Sequence, residues 1–198
     1  MEPARIGPWT RLSSRSLYRN PWIHVREDKV LRPNGEEGIY GVVEFANLAV
    51  GVAALNAEGE VALVGQHRYP LDYYAWELPE GGCLKESDTP EKAAARELKE
   101  ETGVTAARWD YLGCMALSNS VSDEVAHLFL ARDLTLGQPS PDPTEILQVE
   151  WVPLEEACRR VLEGEITESI SIAGLLRARH LLEKERAGTG TPAYRREP

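Results

Sequence analysis

The segment Arg96-Glu97-Leu98-Lys99-Glu100-Glu101-Thr102-Gly103-Val104 constrains this chain more than any other stretch. Glu97, Glu100 and Glu101 stand at i, i+3 and i+4, the spacing that stacks side chains on one face of an α-helix. Like charges so placed repel one another, and the arrangement is locally unfavourable unless a cation neutralises it. Taken alone, such a run is an ordinary solvated helix face. Its surroundings say otherwise. Trp76-Glu77-Leu78-Pro79-Glu80-Gly81-Gly82 reads as a strand breaking into a glycine-rich loop. Asp88, Thr89 and Pro90 then supply N-cap candidates and a first-turn proline, and Gly103 closes the helix as a C′ glycine. Hard divalent cations take oxygen ligands, and Mg²⁺ is commonly held by one or two carboxylates together with substrate phosphates. Loop, helix and carboxylates therefore predict a metal cradle for a phosphate-containing substrate.

The same residues resemble the signature of the Nudix hydrolases, G-x5-E-x7-R-E-U-x-E-E-x-G-U, where U is aliphatic. Gly82, Arg96-Glu97-Leu98, Glu100-Glu101 and Gly103-Val104 match it, and Asp88 stands where the family has Glu. An alternative alignment puts the signature glycine at Gly81 with one more residue in the loop. Asp88 is the variant position in both, and it bears on loop geometry more than on metal binding.

Composition narrows the partners. A chain of 198 residues holds one ordinary domain or a core with a small extension, and its 42% hydrophobic content is that of a soluble globular protein. A net charge of −10 counts against a general nucleic-acid binder but leaves a nucleotide substrate open, because bound cations invert the local field. Cys83, Cys114 and Cys158 lack metal spacing, and their odd number suits a reducing cytoplasm. The start carries no signal-peptide pattern and no stretch is long enough to span a membrane, so a cytoplasmic location is expected.

Along the chain, residues 22–31 and 39–45 read as a hairpin about the Pro33-Asn34-Gly35 turn. Apolar runs at 48–55 and 61–65 read as buried strands, followed by a helix over 90–102. Strands near 109–113, 126–131 and 149–152 and helices over 154–163 and 168–185 complete the pattern. Such mixing predicts an α/β or α+β layered fold. The resemblance makes it a Nudix-type α/β/α sandwich around a mixed sheet with an N-terminal antiparallel β extension. The expected division is an extension over 1–45 that packs across a homodimer partner, a catalytic domain over 46–186, and a disordered tail over 187–198.

The resemblance also implies roles. Glu97 and Glu101 would coordinate Mg²⁺, or Mn²⁺ in its place, as two or more ions, with Glu100 joining directly or through water. The backbone carbonyl of Glu80 or Gly81 would complete the shell, and Arg96 would hold a carboxylate in place. The general base is assigned to Glu124 in Ser118-Asn119-Ser120-Val121-Ser122-Asp123-Glu124, with Asp123 as second choice. Gln66-His67-Arg68-Tyr69-Pro70 is similar to the Gln-x-Arg-Tyr segment of the ADP-ribose and nucleotide-sugar branch, so Arg68 would meet substrate phosphate or sugar. Glu77 would lie near the terminal ribose or sugar, and Trp22 and Tyr40 are the base-stacking candidates. The dispersed histidines form no zinc-like cluster.

Two departures bear on specificity. Ser118-Asn119-Ser120 replaces the proline-containing loop common in ADP-ribose pyrophosphatases, and Glu80-Gly81-Gly82 differs from their Pro-Ala-Gly form. Both favour a broader nucleoside diphosphate sugar hydrolase, acting on ADP-ribose or on sugars such as GDP-mannose. The rivals are a Nudix enzyme of nucleoside triphosphates, dinucleotides or capped RNA, and a non-catalytic nucleotide-sugar sensor. The intact Glu97, Glu100 and Glu101 count against the sensor.

Overall fold

The computed structural model describes residues 3–85, 87–140 and 146–190 together with Tyr194 and Glu197. The chain opens with an antiparallel sheet of β1 (Ala4–Ile6), β2 (Trp9–Arg19), β3 (Ile23–Leu31) and β4 (Glu37–Phe45) in sequential order. The turn at Pro33-Asn34-Gly35 closes the β3–β4 hairpin: Arg32 N donates to Glu36 O at 2.8 Å, and Gly35 takes a φ of +85°. The sequence reading placed β2 within the β extension without bounding it, because its residues, Ser13 to Ser16 among them, lack a sustained apolar alternation.

The rest of the molecule is layered. A mixed sheet runs β8 (Glu80–Leu84), β5 (Asn47–Ala54), β10 (Val125–Thr135), β9 (Thr105–Ala116), with β5 and β10 parallel. A second, antiparallel sheet runs β11 (Gln148–Pro153), β6 (Glu60–Arg68), β7 (Tyr73–Glu77). Three helices cover them: α1 (Pro90–Thr102), α2 (Leu154–Leu162) and α3 (Ser169–Arg186). Strand alternation assigns the two faces. Val50, Val52, Phe129 and Ala131 pack with Ala93, Ala94 and Leu98 of α1, whereas Ala53, Leu128 and Leu130 pack with Cys158 of α2 and Leu175, Ala178 and Leu181 of α3. This is the α/β/α sandwich with an N-terminal β extension, its centre shared between two sheets. Leu98 is wholly buried, a contribution of about 1.5–3 kcal/mol that holds the carboxylate face of α1 at a fixed height over the strands.

One expectation is corrected. The glycine-rich segment is not a loop but the strand β8, paired with β5 from Leu84 opposite Asn47 to Glu80 opposite Gly51. Only Leu78 and Pro79 lie between β7 and β8. Half of the tail expected over 187–198 falls outside the described residues, and Tyr194, which is described, has its ring 5.9 Å from the Arg177 guanidinium. No helix of the described residues is long and apolar enough to cross a membrane.

Candidate active site

The start of α1 is capped as its residue types dictate. Thr89 Oγ1 accepts from Lys92 N at 3.3 Å, Pro90 occupies the first turn, and Gly103 at φ +75° ends the helix with its N–H on Lys99 O. Asp88, the variant signature position, accepts from Thr89 N at 2.8 Å and from Arg96 Nη1 at 2.6 Å. Arg96 in turn donates to Gly82 O at 2.6 Å and to Glu97 Oε1 at 3.0 Å. The shorter Asp side chain thus still braces strand to helix through the arginine fork, and the hydrogen bond from Arg96 holds its carboxyl below the ordinary range.

This bracing brings β8 and α1 into close contact. A Cβ on Gly81 would fall on the Glu97 carboxylate, so any side chain there would have to displace it. Glu101, 5% exposed, accepts from Glu80 N at 3.1 Å. Glu97 and Glu101 therefore frame the same backbone, while Glu100 stands further out, its side chain 47% exposed and 4.0 Å from Arg96 Nε.

The opposite wall comes from β6 and the β7–β8 connection. Arg68 Nε and Nη2 donate to Glu77 Oε2 at 2.8 and 2.7 Å, and Nη2 also pairs with Glu80 Oε1. Burial works against the Arg68 charge, yet the bond to Glu77 and the charges of Glu80 and Glu77 hold its pKa above the usual value. Glu80 is raised well above 4.5, first by burial and then by the neighbouring Glu168, with Arg68 opposing and Glu77 and Glu101 adding.

Together these residues surround a cleft of about 530 Å³, a size suited to a nucleotide-scale ligand. Trp22, Arg68, Gly81, Glu97, Glu101 and Glu124 all line it, and Asn47, Glu80 and Gly82 lie between them. Arg68 is its one lining cation among the described residues. Trp22 is 68% exposed, its ring open to a stacking partner. Burial lifts the Glu124 carboxyl above 4.5, with the charges of Asp123 and Glu168 adding. Asp123 faces elsewhere, accepting from Phe45 N at 2.8 Å and Lys85 Nζ at 3.3 Å. It fastens the 118–124 loop to β4, and of the two base candidates only Glu124 reaches the cleft.

Two other candidates also stand apart from it. Tyr40 donates its hydroxyl to Ser120 O at 2.8 Å and packs edge-on against Trp9, so within its own chain it supports the loop. Glu77, 1% exposed, does not line the cleft and acts on it by holding Arg68. Sequence reasoning missed the Glu80 carboxylate, Glu168 and Asn47. Glu168 stood in sequence only as the first residue of the last helix, since glutamate is not a usual N-cap. The other two carried no local signal.

A hard divalent cation fits this donor set. Glu80 Oε2 and Asn47 Oδ1, both on the cleft, are buried without a hydrogen-bond partner, and Gly81, having no side chain, lets the Glu97 carboxylate lie against the strand. Among the described residues no three acidic, histidine or cysteine side chains already converge as a ligand set. Protein hydrogens on Arg96 and Glu80 N engage the carboxylates instead.

Comparison with known proteins follows the same lines. Residues 46–171 match the NUDIX domain family, and residues 9–43 match the nucleoside diphosphate sugar hydrolase N-terminal domain. The ADP-ribose pyrophosphatase of Mycobacterium tuberculosis (strain ATCC 25618 / H37Rv) is 36% identical, over 83% of this chain and 80% of its own length. The ADP-ribose pyrophosphatase of Bacillus subtilis (strain 168) is 31% identical, over 80% of this chain and 85% of its own. A crystal structure of an ADP compounds hydrolase superposes with a TM-score of 0.79 at 20% identity, covering 93% of this chain and 96% of that one, a likeness of fold.

Proposed function

We infer, because this chain belongs to the Nudix family, that it is a pyrophosphohydrolase splitting the diphosphate of ADP-ribose or another nucleoside diphosphate sugar. The convergence of Glu97, Glu101, Arg68, Trp22 and Glu124 on one cleft carries the reading. The two ADP-ribose pyrophosphatases among its relatives support the substrate class. The N-terminal domain match supports a sugar-linked diphosphate over a bare triphosphate. ADP-ribose would give AMP and ribose 5-phosphate, and GDP-mannose would give GMP and mannose 1-phosphate.

Glu97, Glu101, Glu100 and the Gly81 carbonyl would hold two or more Mg²⁺ or Mn²⁺ ions, which would neutralise diphosphate oxygens and acidify a water. Glu124, which lines the cleft, takes the proton of the attacking water, and the burial that raises its pKa makes its carboxylate a stronger base. Arg96 keeps Glu97 oriented, and Arg68, fixed by Glu77 and Glu80, meets the anionic part of the substrate. Trp22 stacks the base. Residues 1–45 serve as the dimerisation sheet of a catalytic domain spanning 46–186, and a Tyr40 contact with substrate would require the dimer. The three free thiols suit a cytoplasmic setting.

The test is product release from ADP-ribose, GDP-mannose, UDP-glucose, NADH and dGTP, each with Mg²⁺ and with chelator. Metal-dependent cleavage of the sugar diphosphates with dGTP inert is expected. Inertness toward all five would overturn the reading.

A further inference from the structure

The connection Leu78-Pro79 between β7 and β8 carries proposed site groups at both ends. Glu77 holds Arg68 on one side, and Glu80 and Gly81 lead to the cation-binding backbone on the other. Its backbone donors can be accounted for one by one. Pro79 has no N–H, and its carbonyl accepts from Val52 N at 2.9 Å. Glu80 N donates to Glu101 Oε2 at 3.1 Å. The remaining donor, Leu78 N, lies outside both strands and is met by a side chain from a distant element: Ser171 Oγ accepts it at 2.8 Å in a fully buried contact.

The first turn of α3 is shaped for this contact. The two carboxylate oxygens of Glu168 accept from Ile170 N at 2.8 Å and Ser171 N at 2.7 Å, which fixes the backbone that presents Ser171. Gly174 leaves the gap that Leu78 fills, since a Cβ there would come within 2.5 Å of Leu78 Cδ1. Thr167 adds a tether to the same hairpin, its Oγ1 lying 3.2 Å from the Tyr73 hydroxyl.

We propose that Ser171 is a positioning residue for the hydrolysis. By anchoring Leu78 N it sets the path of the connection, and with it the Gly81 carbonyl and the Glu77–Arg68 pair. The assignment rests on the function proposed above and extends it to a helix outside the signature. Without the hydroxyl, a buried N–H has no acceptor, and the connection shifts to find one.

Three variants test it: Ser171→Ala, Gly174→Ala, which presses a methyl onto Leu78 while keeping the hydroxyl, and Leu181→Ala. The last is a buried site about 15 Å further along α3 and controls for general destabilisation. The readouts are Mn²⁺ affinity of the substrate-free protein by titration calorimetry, amide exchange at Leu78 in metal-free protein, and kcat on ADP-ribose. Ser171→Ala should expose Leu78 N to exchange and weaken Mn²⁺ binding and kcat about 10- to 100-fold, as loss of an outer support does at metal sites. Gly174→Ala should weaken Mn²⁺ binding likewise, and it decides the matter if Ser171→Ala does not fold. Leu181→Ala should melt earlier with Mn²⁺ affinity intact. Wild-type Mn²⁺ affinity in folded Ser171→Ala, or an equal loss in Leu181→Ala, would overturn the proposal. A wild-type protein that cleaves no sugar diphosphate refutes the proposed function instead, because Mn²⁺ binding and Leu78 exchange are read without turnover.

Discussion

Replacing Arg68 by Met removes the guanidinium and leaves most of its aliphatic stem. Two carboxylates then lose their counter-charge: Glu77, 1% exposed and bonded at 2.7–2.8 Å, and Glu80, its side chain 13% exposed. Breaking a buried ion pair from one side costs about 3–5 kcal/mol, because the remaining charge stays in a poorly solvated site. Arg68 is itself 32% exposed, so water screens part of that interaction, and about 2–3 kcal/mol is the appropriate figure here. In a chain of this size each kcal/mol moves the melting temperature by about 2–4 °C, so the variant should melt roughly 4–12 °C lower in metal-free buffer at pH 7.5. Urea denaturation followed by circular dichroism gives the free energy directly. The loss should shrink on adding Glu80→Gln to Arg68→Met, because the second change removes one of the stranded charges. Arg68→Met as stable as the parent, or a double variant no more stable than Arg68→Met, would refute the electrostatic account.

Glu101→Gln keeps an acceptor for Glu80 N but removes a metal-binding charge, so its stability should lie within about 1 kcal/mol of the parent. Its hydrolysis of ADP-ribose should fall by more than about 100-fold, read as kcat at saturating Mg²⁺. Gly81→Ala should lower kcat by displacing the Glu97 carboxylate, at an overpacking cost of about 1–3 kcal/mol in a denaturant melt. The raised pKa of Glu80 makes the folded state hold this proton more tightly than the unfolded one. Its stabilising contribution is thus full below the ordinary value of 4.5 and is lost as pH rises through the folded value. Glu80→Gln should flatten that slope, and in chelator it should be more stable than the parent at pH 7; an unchanged slope would sink the assignment.

The fold was legible where the pattern was local. The helix over 90–102 was bounded correctly because Thr89, Pro90 and Gly103 each act on the backbone within one turn. The apolar runs at 48–55 and 61–65 announced β5 and β6, which are covered on both faces. β2 was legible only as part of the β extension and not as a bounded strand, since pairing with β1 and β3 rather than side-chain alternation defines it. β8 misled because glycines ordinarily mark turns; Gly81 and Gly82 are there because Glu97 and Asn47 occupy the space their side chains would need.

The candidate site divides along the same line. Its signature wall is one helix and the strand braced to it, and residues eight apart, Asp88 and Arg96, already show how the two are joined. The facing wall is assembled from β6, the β7–β8 connection, the 118–124 loop and the first turn of α3, and no spacing rule links Arg68 to Glu80 or Leu78 to Ser171. What the sequence did carry was a conflict: carboxylates stacked with too few cations among them. The structure enlarges it: the Glu80 carboxylate joins Glu97, Glu101 and Glu124 on a cleft whose one lining cation among the described residues is Arg68, and the charge of Glu168 adds to the field at Glu80 and Glu124. An arrangement that raises two of its own carboxyl pKa values opposes folding, and local rules are broken most often where function needs them broken. Divalent cations bridging the carboxylates to a substrate diphosphate would relieve the conflict. The same charge excess that destabilises the empty cleft would thus make binding depend on the metal.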